Sequence, residues 1–306
     1  MKRFIGVILV MLFILLLVLP YLKSHFTEKY HYVSFRTVEE LQQYLSYDDT
    51  EEPLIGAHRG GPMPGYPENA IETFQHTLLY APCLIECDVR KTSDDSLIMM
   101  HDETVDRTTT GKGRVSDFNY FELGKLSLVD NEGKITSFKI PSFDEVLRWG
   151  KDRAIIEVDS KNDVSPEEIV AALVRENAIA YSVVITYTMD QLKTFAALHP
   201  QLVISASAHT VEGVQRILDT GIDPKRLVVF VGVTEPETEV YDLLHAHGIR
   251  AILGTMHNID NSAEKKGIRV YVKVLENGAD ILATDNVPLA AQAIREFMKN
   301  RKMVSK

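Results

Sequence analysis

Eight short, almost uninterrupted apolar runs follow one another from Pro53 onward, and they leave the chain few ways to fold. They are Leu54–Ala57, Leu84–Val89, Ala154–Val158, Val183–Thr186, Leu202–Ala206, Leu227–Val231, Arg250–Leu253 and Asp280–Ala283. Runs apolar on both faces suit strands covered on both sides, as in a parallel sheet. Amphipathic stretches lie between them, most clearly Asn69–Tyr80, Pro166–Arg175, Met189–Leu198, Val211–Leu218, Pro236–Ala246 and Leu289–Phe297. Gly221, Gly248 and Gly278 stand where helix C-caps favour glycine. Eight such units predict a (β/α)₈ TIM barrel. An open doubly wound sheet is the alternative, weakened because no dinucleotide-type glycine pattern follows the first run. One gap, from Val89 to Ala154, is long. It predicts an insertion, at about 103–150, over the C-terminal face where such barrels keep their chemistry.

The N-terminus has a different character. Lys2 and Arg3 precede the apolar run Phe4–Leu22. At about 1.5 Å per helical residue, that run nearly crosses a hydrocarbon core of roughly 30 Å. It closes on Leu19-Pro20-Tyr21-Leu22 without the small residues of a cleavage site, and no cysteine follows for lipid attachment. The expectation is a signal anchor over 1–23, with the basic end in the cytoplasm and the rest outside. If the signal is cleaved, the protein is secreted. Residues 24–52 read as a spacer, in which Thr37-Val38-Glu39-Glu40 resembles a capping box opening a short helix through Leu45. The catalytic domain is expected over 53–300.

Against 33 Lys and Arg stand 43 Asp and Glu, a formal charge of −10. Such a surface repels nucleic acid, so no nucleic-acid partner is expected. It still admits an anionic substrate wherever a divalent cation reverses the local field. The two cysteines, Cys83 and Cys87, share one predicted strand about 13 Å apart, too far for a disulfide with each other.

Chemistry-bearing residues collect where the first three runs end. His58-Arg59-Gly60-Gly61 follows the first, with Pro67-Glu68-Asn69 opening the next helix. Glu86 and Asp88 close the second, on one face because strand side chains alternate. Glu157 lies on the third, followed by Asp159 and Lys161, and His101-Asp102 lies between the second and third. Carboxylates gathered on one face repel one another unless a positive charge intervenes. Three oxygen donors, Glu86, Asp88 and Glu157, suit Ca²⁺ or Mg²⁺, whereas zinc prefers thiolate and clustered imidazole. Taken alone, the acids could equally mark a solvated sheet edge. Two histidines on the same side can serve as general acid and base. Arg59 offers a planar fork for phosphate oxygens. Asp102 either orients His101 or caps its turn. Together these groups suggest phosphoryl chemistry.

In that order and spacing, His58-Arg59-Gly60, Pro67-Glu68-Asn69, Glu86-x-Asp88, His101-Asp102 and Glu157 resemble the glycerophosphodiester phosphodiesterase family. Gly278-Ala279-Asp280 leading to Thr284-Asp285 is similar to that family's last strand. The resemblance implies a TIM barrel that hydrolyses glycerophosphodiesters to glycerol phosphate and an alcohol. It implies His58 and His101 as the acid–base pair, one divalent ion on Glu86, Asp88 and Glu157, and Arg59 on the phosphate. Glu68, Asn69, Asp102 and Asp159 would be supporting residues. The route it implies is attack by a glycerol hydroxyl, then opening of a cyclic phosphate by water.

Three departures stand near the expected pocket. The family's lysine two residues after the third-strand acid is replaced by Asp159, with Lys161 two further on as its candidate substitute at the phosphate. No tryptophan lies in Ile252–Met256. Pro288 falls one residue later than the family's proline. Lysophospholipids or inositol phospholipids are alternative substrates, and a non-catalytic envelope-binding barrel is an alternative of another class.

Overall fold

A computed structural model describes residues 29–304, so the anchor read at 1–23 lies outside the described residues. The chain from His31 onward begins with helix α1 (Val38–Leu45), strand β1 (Leu54–Ala57), α2 (Ile71–Thr77), β2 (Cys83–Lys91) and β3 (Leu97–Met99). Next come α3 (Tyr120–Leu123), α4 (Phe143–Gly150), β4 (Ile155–Ser160), α5 (Pro166–Arg175), β5 (Ser182–Ile185), α6 (Met189–Leu198) and β6 (Val203–Ser207). The last elements are α7 (Val211–Leu218), β7 (Leu227–Phe230), α8 (Thr238–Ala246), β8 (Ala251–Gly254), α9 (Asn258–Lys266), α10 (Arg269–Glu276), β9 (Ile281–Thr284) and α11 (Val287–Val304).

Among the described residues, the strands run in the order β1-β9-β8-β7-β6-β5-β4-β2-β3, and β1 also pairs with β2. That last pairing closes the sheet into a barrel of eight parallel strands. The antiparallel β3 folds back on the end of β2, with Val89 opposite Met99. All eight apolar runs are therefore the barrel strands. Every barrel strand sends one side chain into a single basal layer: Leu54, Leu84, Ile155, Val183, Val203, Val228, Ile252 and Ile281. Branched apolar side chains stacked in this way make a barrel interior a packed core rather than a pore.

The helices start where local chemistry satisfies their first amides. Ser165 caps α5 by accepting from the Glu168 N–H, the Glu168 side chain accepts in return, and Pro166 takes the first turn. Thr188 and Gln191 box α6 in the same way. Thr37 caps α1, accepting from the Glu40 N–H at 3.3 Å. Helix α1 lies in the stretch read as spacer, yet its Leu41 and Leu45 join the basal barrel layer, both almost wholly buried. The insertion after β3 builds a second small core, in which Ile98, Met100, Val105, Val115, Leu128 and Ile140 take part. The Asp130 carboxylate ties it to the loop after β1, accepting from the Gly65 N–H at 2.7 Å.

Candidate active site

Strand β1 ends at Ala57, and the chain turns at once through three left-handed residues, Arg59, Gly60 and Gly61, at φ 51°, 82° and 75°. At Gly60 a Cβ would stand 2.1 Å from the Phe74 ring, and at Gly61 2.8 Å from Val287, so only glycine lets the turn lie this close to α2 and α11. Arg59 is no glycine, and its conformation is held from both sides. Its N–H donates to Glu86 Oε2 at 2.5 Å, and its carbonyl accepts from the Asn69 N–H at 2.9 Å. Backbone strain fixed by surrounding bonds is common where a side chain must be aimed.

On β2 and β4 the register pairs Glu86 with Glu157 and Asp88 with Asp159. Leu84 and Ile155 occupy the basal layer, so the inward face rises in steps of two: Leu84, Glu86, Asp88 on one strand and Ile155, Glu157, Asp159 on its neighbour. Carboxylate oxygens of Glu86, Asp88 and Asp159 come within 4.8 Å of one another. Glu157, expected among the ion's ligands, is not in this group. It stands level with Glu86 and one inward step below Asp159, where burial pushes its carboxyl up to about 7, a hydrogen bond from Ser205 pulls it down and the Asp159 charge pushes it further up. Asp159 stands one inward step further along β4, level with Asp88.

Lys161 also differs from expectation. Rather than reaching outward to a phosphate, its Nζ lies 2.6 Å from Asp88 Oδ1 and 2.5 Å from Asp159 Oδ2. Asp159-Ser160-Lys161 thus keeps an acid two residues before a lysine, and the departure noted at position 159 disappears once the third acid is taken as Asp159. Burial pushes the Glu86 carboxyl well above the usual range, and the charges of Asp88 and Asp159 add to it. For Asp88 burial acts in the same direction, but the Lys161 ammonium and the Asn69 amide outweigh it and hold the carboxyl low. The Asn69 side chain brackets Asp88, donating to Oδ2 at 2.6 Å and accepting the Asp88 N–H at 3.0 Å.

Two buried atoms here lack any hydrogen-bond partner: Asp159 Oδ1 and Arg59 Nε. An orphaned acceptor beside two further carboxylates fits a hard divalent cation held by oxygen, and an orphaned guanidinium donor 3.9 Å from Asp88 fits an anion bound next to that cation.

Each histidine is paired with an aspartate. His58 Nδ1 lies 2.7 Å from Asp285 Oδ1, and His101 Nδ1 lies 2.7 Å from Asp102 Oδ1. A carboxylate on Nδ1 fixes the proton there and leaves Nε2 to exchange protons with a substrate. Asp285 is itself held by buried Asp260, whose Oδ2 accepts the Asp285 N–H at 2.9 Å, while Tyr271 donates to Asp260 Oδ1 at 2.8 Å. Burial pushes Asp285 up, but its bond to His58 and the charges of His58, Arg59 and His257 hold it below the usual range. Asp102 is likewise held low, chiefly by hydrogen bonds from Arg107.

Arg107 was not singled out by sequence reasoning. Its guanidinium donates to Glu68 at 2.8 Å twice, and to Asp102 at 2.7 and 2.9 Å. Glu68 also accepts from Arg59 Nη1 at 3.1 and 3.2 Å. The pairing of Asp285 with His58 was also unforeseen, although Asp285 stood in a motif already noted. His58, Arg59, Glu68, Arg107, His257 and Asp285 line one cleft of about 470 Å³.

The profile of the Glycerophosphoryl diester phosphodiesterase family matches residues 58–285. A Glycerophosphodiester phosphodiesterase of Caldanaerobacter subterraneus is 33% identical over 158 residues, which is 49% of this chain and 65% of the relative. One from Bacillus subtilis is 36% identical over 135 residues, 39% of this chain and 45% of the relative. The chain thus spans less than two thirds of the length of these curated relatives. The crystal structure of a Glycerophosphoryl diester phosphodiesterase from Parabacteroides distasonis is similar along nearly the whole chain, with a TM-score of 0.84 and 32% identity, covering 88% of this chain and 95% of that one. An Oleispira antarctica phosphodiesterase, solved in complex with the product sn-glycerol-3-phosphate, shares the fold at a TM-score of 0.60 and 18% identity, covering 80% of this chain and 97% of that one.

Proposed function

Because this chain belongs to the glycerophosphoryl diester phosphodiesterase family, we propose that it hydrolyses glycerophosphodiesters to glycerol phosphate and an alcohol. The observation that carries the proposal is the pair of unsatisfied buried atoms at the barrel mouth, Asp159 Oδ1 and Arg59 Nε, set beside two histidine–aspartate pairs. Glu86, Asp88 and Asp159 would hold one divalent cation, Ca²⁺ or Mg²⁺. That ion would neutralise charge on the phosphate oxygens. Arg59 presents its free Nε–H to one phosphate oxygen. Lys161 bridges Asp88 and Asp159 and holds the Asp88 carboxyl low beside Glu86. One histidine takes the proton of the attacking glycerol hydroxyl at Nε2 while the other gives a proton to the departing alcohol. The two then exchange roles when water opens the cyclic phosphate. Asp285 and Asp102 hold the imidazoles in the tautomer that this exchange needs. We also place the barrel outside the cytoplasm on the N-terminal anchor; protease accessibility of the barrel on intact cells tests that placement.

The deciding experiment is release of glycerol phosphate from glycerophosphocholine and glycerophosphoethanolamine by the full chain, with Ca²⁺, with Mg²⁺ and with chelator. His58→Ala and His101→Ala are the controls. Ion-dependent turnover that both variants lose is the expected result. Turnover of lysophospholipids alone would move the substrate to lipids, and no turnover of any diester by a folded, ion-binding chain would leave a non-catalytic barrel.

A further inference from the structure

The insertion delivers one side chain into the cleft whose contacts reach both halves of the proposed chemistry. Its segment is pinned in place: Thr104 and Arg114 form an antiparallel bridge, the Asp106 carboxylate accepts the Gly113 N–H at 2.8 Å, and Val105 is buried in the second core. From this base Arg107 spans Glu68, which is 4% exposed, and Asp102. Beyond Glu68 lies Arg59, and beyond Asp102 lies His101. The result is an unbroken series of charge-assisted hydrogen bonds, His101–Asp102–Arg107–Glu68–Arg59. It joins a proton-transfer group to a phosphate-binding group. Two guanidiniums balance two carboxylates along it.

We infer that Arg107 is a positioning residue that sets the phosphate grip of Arg59 and the orientation of His101 together, through Glu68 and Asp102. This rests on the phosphodiesterase function proposed above. Without Arg107, Glu68 has Arg59 as its one remaining cation and draws it away from the phosphate. Asp102 loses the clamp that fixes its plane against His101. The cleft gains one net negative charge facing an anionic diester. Lysine cannot substitute, because a single ammonium cannot present the planar fork that meets both carboxylates at once.

The test is a mutant cycle in the full chain on glycerophosphocholine, with kcat and KM measured separately. Arg107→Gln is expected to lower kcat/KM by about 100-fold, the scale of a misplacement near 1 Å. It should lower kcat and raise KM together, where Glu68→Gln moves mainly KM and Asp102→Asn mainly kcat. Arg107→Lys should recover less than a tenth of the loss. Adding Arg107→Gln to a chain already carrying Glu68→Gln and Asp102→Asn should cost no more than about threefold, since residues that act through shared partners are not additive. The Arg107 side chain is 45% exposed, so Arg107→Gln and Arg107→Lys should melt near wild type, and melting of the Glu68 and Asp102 variants is measured beside them. The inference is overturned if Arg107→Gln stays within threefold of wild type, or if lysine restores activity. An undiminished loss in the doubly substituted background would also overturn it, by showing that Arg107 meets the substrate directly. Wild-type protein without turnover would instead remove the phosphodiesterase reading, and this inference with it.

Discussion

Two acids two residues apart on β4, Asp159 and Glu157, should respond oppositely to an ion. Only Asp159 joins Glu86 and Asp88 within 4.8 Å, and its Oδ1 has no other partner. At an effective dielectric near 20, a unit charge about 4 Å from a divalent ion is worth roughly 8 kcal/mol before desolvation is subtracted. Asparagine keeps an oxygen donor, so we take the net loss for Asp159→Asn as about 3 kcal/mol, a 100-fold weaker ion. Ion-induced thermal stabilisation reads this without any turnover. At an ion concentration about 1,000 times Kd, wild type gains about 4 kcal/mol, or roughly 8–16 °C for a domain of this size. At the same concentration Asp159→Asn should gain about 1.4 kcal/mol, a rise of only about 3–6 °C. Glu157→Gln removes a carboxyl outside the group, and should keep nearly the full rise. If Glu157→Gln loses the rise and Asp159→Asn keeps it, the ligand is Glu157 after all. If both keep it, the ion does not bind at this group.

Two further outcomes follow from the packing and the buried charge. Leu41→Ala opens a cavity in the basal barrel layer and should cost about 2–5 kcal/mol in urea unfolding, with kcat unchanged because the layer lies at the end away from the mouth. In chelator, the Glu157 carboxyl titrates near 7 in the folded chain and near 4.5 once unfolded, so the folded state binds the extra proton between these values. Stability should therefore fall as pH rises through that window, by on the order of 3 kcal/mol from this group, and Glu157→Gln should flatten the decline.

Much of the fold was legible because barrel strands carry redundant signals. Each of the eight runs is almost uninterruptedly apolar outside the site acids, and the three helices with matching bounds, Pro166–Arg175, Met189–Leu198 and Val211–Leu218, all have a Ser or Thr cap just ahead of them. What escaped lacks such redundancy. Strand β3 has three residues and exists because β2 runs on to Lys91 to pair with it. Helix α9, Asn-Ile-Asp-Asn-Ser-Ala-Glu-Lys-Lys, has too few apolar positions to show a stripe, and is held through buried Asp260 and Ala263. Helix α1 was visible as a helix, but nothing local reveals that Leu41 and Leu45 close the barrel.

The site shows a sharper limit of the same kind. Period-two alternation correctly puts Glu86, Asp88, Glu157 and Asp159 on one inward face, but it is silent about height along the barrel axis. Height follows from the register with β2 and from which inward position is filled by the basal apolar layer. Ile155 takes that position on β4, which sets Glu157 one step up, level with Glu86, and Asp159 two steps up, level with Asp88. Which of two acids on one strand joins Glu86 and Asp88 is thus decided by side-chain geometry across the strand pair, and alternation alone does not give it. The same blindness to height hid Lys161, whose ammonium meets Asp88 across the strand pair because both stand at the top of the barrel. Arg107 and Asp285 lie further still from any periodic signal: Arg107 joins Asp102, five residues back, to Glu68, 39 residues back, and the partner of Asp285 is 227 residues away in sequence. Residues at strand ends could be named from the sequence. Which of them meet is decided by the closure of the barrel and the path of the insertion.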